Sequence, residues 1–157
     1  MLTGVIQTTN SREKFVDFLY AHIPLCRAMQ LEVDELSTQS VKLSAPLSPN
    51  INPHGTAFGG SLASLLTLAA WSLLYMRLDA LDIGFDIVVH KSEFNYLRPV
   101  TGRLQACCDF TEQRLWERFE RTLRQRRRAR LCLNSSICSQ QLPGAEMNGQ
   151  FVAHLKA

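Results

Sequence analysis

Asn50-Ile51-Asn52-Pro53-His54-Gly55-Thr56-Ala57-Phe58-Gly59-Gly60-Ser61 runs directly into Leu62-Ala63-Ser64-Leu65-Leu66-Thr67-Leu68-Ala69-Ala70-Trp71-Ser72-Leu73-Leu74. A polar turn segment closes on a glycine pair and opens into a long apolar run that reads as a helix. The first N–H groups of a helix have no partner within it and carry the positive end of its dipole. A start lined by glycine leaves them uncovered, so the corner can hold an anion or polarise a carbonyl. From Ala57 to Met76 no residue is charged, a length that would also span a bilayer. Yet the run carries Ser61, Ser64, Thr67 and Ser72, ends at Arg77 and Asp79, and stands alone among alternating segments. Burial inside a protein domain explains these features better than a membrane span. Leu62, Leu65, Leu66, Ala69 and Leu73 form its apolar stripe. Gly60, Ser64, Thr67 and Trp71 fall on another by i, i+4, i+7, i+11 spacing, and a small, polar seam marks close approach of another backbone or a site.

Outward from this segment, Asn10 and Glu13 have capping-box spacing ahead of Phe15, Phe18, Leu19 and His22, predicting an amphipathic helix that Pro24 ends. Residues 30–36 and 40–46 alternate and predict a β-hairpin, with Val41, Leu43 and Ala45 on one face. Residues 47–58 are rich in turn chemistry: Ser48-Pro49-Asn50, Asn52-Pro53 and His54-Gly55. Residues 85–100 predict a long strand with Val88, His90, Ser92, Phe94 and Tyr96 on one face. After Thr101-Gly102, residues 103–111 predict a strand carrying Leu104, Ala106, Cys108 and Phe110 together. Residues 112–124 turn helical through Leu115, Trp116, Phe119 and Leu123. Residues 128–139 predict a strand, Gln141 to Gly144 a turn, and residues 148–156 a last strand. A run of antiparallel strands around one buried helix is an α+β domain, and residues 1–157 are expected to form a single one.

Composition sets the class. Hydrophobic residues at 46% and charged residues at 20% fit a folded globular chain, and a net charge of +3 is too modest to point to nucleic acid. Met1 to Gln7 lack the basic and apolar regions of a signal peptide. Cys26, Cys107, Cys108, Cys132 and Cys138 make an odd set with no CxxC pair, and Cys107 and Cys108 point to opposite faces of a strand. Reduced thiols, no metal and a cytoplasmic location are the expectations.

Gly55-Thr56-x-Phe58-Gly59-Gly60 opening a buried helix, followed by Tyr96-Leu97-Arg98-Pro99-Val100-Thr101-Gly102, resembles the hotdog-fold thioesterase superfamily. Ala45-Pro46-Leu47-x-Pro49-Asn50-Ile51-Asn52, Thr56-x-Phe58-x-Gly60-Ser61-Leu62 and Asp86-Ile87-Val88 resemble more closely the thioesterase-like domain at the C-terminus of YiiD-type proteins. The resemblance implies a hotdog fold, an antiparallel sheet wrapped around the long helix, and pairing with a second copy into a homodimer or a dimer of dimers. It also implies active sites between subunits and no cofactor. Many hotdog thioesterases carry Gly-Thr-x-His-Gly-Gly, with an acidic residue seven positions after the second glycine. Here Phe58 replaces that histidine and Thr67 the acid, so the carboxylate nucleophile or base of those relatives is missing.

On that footing the Gly60 N–H is expected to polarise a thioester carbonyl, with Phe58, Gly59 and Ser64 lining the substrate. Asn52 would orient water or donate a second hydrogen bond, the Thr67 hydroxyl stands on the same seam, and the His54 imidazole is the general-base candidate. His90 and Ser92 would line the cleft or simply pack. The cluster Arg121, Arg124, Arg126, Arg127, Arg128 and Arg130 has three readings: a solvated helix face, a phosphate clamp for coenzyme A or an acidic carrier-protein surface, and an RNA site. The resemblance favours the second, through Arg126, Arg127 and Arg128, whereas RNA lacks exposed aromatics or a recognisable module. Three functions follow: hydrolysis of acyl-CoA or acyl-carrier-protein thioesters, decarboxylative condensation of the ketoacyl synthase type in fatty-acid initiation, or acyl-thioester binding without catalysis.

Overall fold

In the computed structural model, which describes residues 9–157 and side chains from residue 11, α1 (Thr9–His22) leads into the short helix α2 (Pro24–Ala28). The hairpin β1 (Glu32–Leu36) and β2 (Ser40–Ala45) follows, then a single 3-10 turn at Ser48–Asn50 and the long helix α3 (Gly59–Asp79). Strands β3 (Phe85–Tyr96) and β4 (Leu104–Asp109), helix α4 (Gln113–Arg126), and strands β5 (Arg128–Ser139) and β6 (Leu142–Leu155) complete the chain. The strands form one antiparallel sheet in the order β1-β2-β4-β5-β6-β3. The fold is the α+β arrangement that the alternation implied, with the sheet curled onto α3.

The apolar stripe of α3 accounts for this. Leu62, Leu65, Leu66, Ala69 and Leu73 are all buried in one core with Phe15, Leu43, Leu104, Ile137 and Phe151. Enclosing each leucine contributes about 2–3 kcal/mol relative to leaving it in water. A buried polar contact fixes the helix on the sheet: the Ser135 hydroxyl donates to the Leu66 carbonyl at 2.9 Å. By length and composition α3 would cross a membrane, but most of it is buried under the sheet. At its C-terminus the Arg77 guanidinium lies 4.3 Å from the Trp116 ring centre and 4.9 Å from that of Phe110, and donates to the Thr38 carbonyl at 2.8 Å. Burial lowers its pKa, and among the described residues no carboxylate pairs with it.

Four expectations need correction. Helix α1 begins at Thr9, so Asn10 is inside it and is not its cap; the Asn10 side chain and the segment Met1 to Gln7 lie outside the described residues. Pro24 does not end helical structure but starts α2, because a proline in the first turn has no N–H to lose there. In β3 the register shifts between Val89 and Lys91, making His90 a bulge. Val89 thereby pairs with the buried Phe151, and Ile87, Val89, Ser92, Phe94 and Tyr96 share the inner face, whereas Val88 is on the other. The last turn sits at Gln140 and Gln141, both with positive φ (50° and 65°), so β6 starts at Leu142 and takes in Pro143-Gly144. His22 is structural: its ring packs on Phe18 and bonds the Phe18 carbonyl at 2.8 Å.

Candidate active site

The loop before α3 is held by two asparagines. Asn50 is buried, and its side-chain amide N–H groups donate to the carbonyls of Met29 (3.0 Å) and Pro46 (2.8 Å) while its main-chain carbonyl accepts from Phe58 N–H (2.8 Å). Asn52 donates to Thr56 Oγ1 (2.9 Å) and the Ala57 carbonyl (3.3 Å), and its Oδ1 accepts from the N–H groups of His54 (2.9 Å) and Thr56 (3.2 Å). The Asn52 amide is thus consumed in shaping residues 52–57, with Gly55 at φ +78° closing the turn. These bonds give Asn52 an architectural part in the loop. The loop delivers Phe58 to the N-cap of α3 without a side-chain acceptor, and the Ala57 N–H is tied to the Val100 carbonyl at 2.8 Å.

The consequence is an uncapped corner. Among the described residues no acceptor meets the N–H groups of Gly59, Gly60 or Ser61. Gly60 is exposed, and the Phe58 ring folds over it so closely that a Cβ there would lie 2.4 Å from Phe58 Cε1. Tyr96, from the inner face of β3, donates its hydroxyl to the Gly59 carbonyl at 3.3 Å. Beside it opens a cleft of about 340 Å³ lined by Thr56, Gly59, Leu62, Tyr96, Arg98 and Val100 among others. A second groove of about 290 Å³ runs along the polar seam, between Ile23 and Leu25 on one side and Ala63, Ser64, Thr67 and Leu68 on the other. Both seam hydroxyls are turned onto their own helix: Ser64 donates to the Gly60 carbonyl and Thr67 to the Ala63 carbonyl, each at 2.8 Å. Thr67 also touches Met147 Sδ at 3.5 Å. They offer lone pairs to the groove, not protons.

The corner presents backbone N–H donors with no carboxylate beside them on its own segment. Not one Asp or Glu occurs between Glu35 and Asp79, so hairpin strand β2, the loop and nearly all of α3 contribute no carboxylate. The His54 ring is exposed on the loop and takes part in no hydrogen bond among the described residues. His90 is exposed at the bulge; Ser92 is on the inner face of β3. Thiol nucleophiles are unavailable in the core, where burial pushes Cys26 up to about 11 and Cys108 up to about 12. Among the described residues no group of three or more His, Cys, Asp or Glu could hold a metal ion.

The arginines are elsewhere. Arg128 pairs with His154, which pairs with Asp86, whereas the glycine corner adjoins Tyr96, ten residues along β3 and about 33 Å away at roughly 3.3 Å per residue. Arg127 is also not a free cation: it adopts φ 57° at the end of α4 and clamps the Lys156 carbonyl at 2.6 Å. Arg126 and Arg128 are exposed. Tyr96 and Asn50 are the residues that sequence reasoning did not place at the corner. Tyr96 opens the Tyr-Leu-Arg-Pro segment, and that was its one available signal.

Comparison with known proteins agrees with this geometry. A family model described as "Putative thioesterase (yiiD_Cterm)" matches residues 12–155. A crystal structure of a protein of unknown function from Chlorobaculum tepidum TLS is 28% identical, with a TM-score of 0.88 over 93% of this chain and 95% of that one. A "putative thioesterase" from Shewanella oneidensis is 25% identical, with a TM-score of 0.82 over 94% of this chain and 99% of that one. A probable thioesterase from Pseudomonas aeruginosa shares the fold at 18% identity, with a TM-score of 0.76 and coverage of 92% and 96%. With an antiparallel sheet around one long helix and a family match over nearly its whole length, the chain belongs to the YiiD C-terminal thioesterase family of hotdog proteins.

Proposed function

We propose that the protein hydrolyses acyl thioesters, carried by coenzyme A or an acyl carrier protein, at the Gly59–Gly60 corner. The observation that carries this is the uncapped start of α3, three N–H groups without acceptors among the described residues, beside two apolar grooves. In this reading the thioester carbonyl oxygen lies at the Gly60 N–H, and the acyl chain follows the seam past Ser64 and Thr67. Attack by water places negative charge on that oxygen, where donors fixed in advance are worth about 3–4 kcal/mol. Collapse of the tetrahedral intermediate releases the carboxylic acid and the thiolate, which takes the proton the water gave up. His54 is the loop group able to relay it. With no carboxylate at hand, turnover is expected to run about two to four orders of magnitude below that of relatives with a base.

The open edge of β3 supports assembly with a second copy. Among the described residues its outer edge has no partner strand, and Val88 and Val89 are half exposed. Antiparallel pairing of two β3 edges turns one protomer end for end. Arg126 and Arg128 of one copy would then lie toward the corner of the other, a placement suited to the phosphates of coenzyme A.

The Phe58 ring over Gly60 and the missing carboxylate favour a second reading, decarboxylative condensation, in which water is kept out. The discriminating experiment is incubation with a panel of acyl-CoA esters, with product followed by mass because the chain has five thiols. Steady release of free acid, lost in His54→Ala, is the expected result. Binding without turnover would sink hydrolysis in favour of a binding module, and malonyl-dependent chain extension would select condensation.

A further inference from the structure

The corner uses none of the five cysteines, and two of them meet on the outer face of the sheet. Cys107 in β4 is directly opposite Ser136 in β5, and both alternate with buried neighbours, so they face away from α3. Cys138 is two residues further along that face of β5, which makes it the diagonal neighbour of Cys107. Lys42 of β2 flanks Cys107 on its other side. The two thiols also sense each other: burial pushes Cys107 up, Lys42 opposes this, and Asp109 and Cys138 add to the rise. Cys138 is exposed and Cys107 half-buried, so solvent meets the first with the second behind it.

Among the described residues the other three thiols are placed differently. Cys26 and Cys108 are buried, and Cys108 donates to the Asn134 carbonyl at 3.1 Å. Cys132 is exposed, but it pairs with Gln150 and lies six residues along β5 from Cys138, about 20 Å at roughly 3.3 Å per residue. For the diagonal pair the distance is short. Diagonal Cα atoms stand about 7–8 Å apart and a disulfide spans up to about 6.8 Å, so the strands must draw together by about 1 Å. This joint can yield: β4 and β5 share two paired positions, Ala106 with Ile137 and Cys107 with Ser136, whereas β2 and β4 share six. Cys138 also adjoins Ser139, whose hydroxyl donates at 3.1 Å to the Pro99 carbonyl in the wall of the corner cleft. A bridge here would fix the sheet where it borders that cleft.

We infer that Cys107 and Cys138 are an oxidation site, closing a disulfide across β4 and β5 when the protein meets a hydroperoxide. The Cys138 thiolate attacks a peroxide oxygen, the O–O bond breaks, and Cys138 becomes a sulfenic acid as water or an alcohol leaves. The Cys107 sulfur then attacks the Cys138 sulfur. The S–S bond forms, the S–O bond breaks, and the hydroxyl leaves as water with the Cys107 proton. The two electrons given up by the thiols reduce the peroxide, and a small thiol reverses the step by exchange. The test treats the full chain with hydrogen peroxide, alkylates the remaining thiols after unfolding, and sequences the tryptic peptides by fragmentation in a mass spectrometer. Fragmentation is needed because Cys107 and Cys108 share one tryptic peptide and Cys132 and Cys138 another. Alkylated thiols should fall from five by two, with Cys107 joined to Cys138 within one chain, and dithiothreitol should restore all five. Cys132→Ser should still form the bridge, and Cys107→Ser and Cys138→Ser should not. A link through any other cysteine, links only between chains, or Cys138 driven to sulfinic acid while Cys107 still takes the alkylating agent would each overturn the proposal.

Discussion

Gly60→Ala asks whether the corner is glycine because of its neighbour. The backbone there is ordinary helix, with no positive φ, so alanine is conformationally acceptable. Its methyl group is not: it would lie 2.4 Å from Phe58 Cε1 and 3.0 Å from Cζ. Carbon atoms settle at about 3.5–4.0 Å, so the ring must swing away by about 1 Å or more. Phe58 is already 55% exposed, which limits what holds it. A covered phenylalanine buries about 200 Å², so losing the remaining contact at about 25 cal/mol/Å² costs at most about 2 kcal/mol. Helix propensity returns up to about 0.8 kcal/mol. Gly60→Ala should therefore destabilise the parent by about 1 kcal/mol, yet stabilise a Phe58→Ala background by about 0.5 kcal/mol. Urea unfolding of the four proteins reads a coupling of about 1–2 kcal/mol. Equal destabilisation in both backgrounds would refute the reasoning, because the ring would then not be what glycine accommodates.

Asn52→Ala removes four hydrogen bonds from the 52–57 loop and should cost about 2–3 kcal/mol, with Asn52→Asp in between because it keeps the two accepted bonds. A thermal melt shows this, and an unchanged midpoint for Asn52→Ala would contradict the architectural role. Cys108 has its folded pKa raised to about 12 by burial, above the ordinary thiol value, so the folded state keeps a proton that the unfolded chain releases. Its contribution is full below pH about 9 and lost as pH rises toward about 12, at up to about 1.4 kcal/mol per pH unit. Stability against pH for the parent and Cys108→Ala should diverge over that window only, and parallel curves would exclude the effect. Val89→Glu puts a charge on the inner face of the edge strand and should shift a dimer toward monomer in light scattering. A parent already monomeric at high concentration would remove the two-fold arrangement.

The core helix was legible because two independent codes coincide on it: a glycine pair that opens it, and leucines at helical spacing that the sheet then covers. Details were lost where residue type and geometry part company. Nothing in Val88-Val89-His90-Lys91 marks a bulge, since inserting one residue leaves alternation intact on each side. Gln140-Gln141 lacks the glycine or asparagine that announces a tight turn, whereas Pro143-Gly144 has turn chemistry and sits in a strand beside a register shift. At the site, the glycine corner and the seam were readable as positions, but the fate of each polar group was not. Asn52, Ser64 and Thr67 all look free in the chain, and local backbone groups claim all three. Arg126 to Arg128 are close to no corner residue in their own protomer because strand register, unlike sequence, fixes which end of the sheet they occupy.

The setting of Arg77 has a bearing on how the protein meets acid. The ion pairs Lys42–Glu35, Arg103–Glu32, Arg124–Glu120 and Lys156–Asp86 each depend on a carboxylate that low pH neutralises. Arg77 leans on two rings and a backbone carbonyl, none of which takes up a proton at low pH. Acid therefore removes exposed ion pairs of little weight and leaves the contacts that join α3 to α4 as they are.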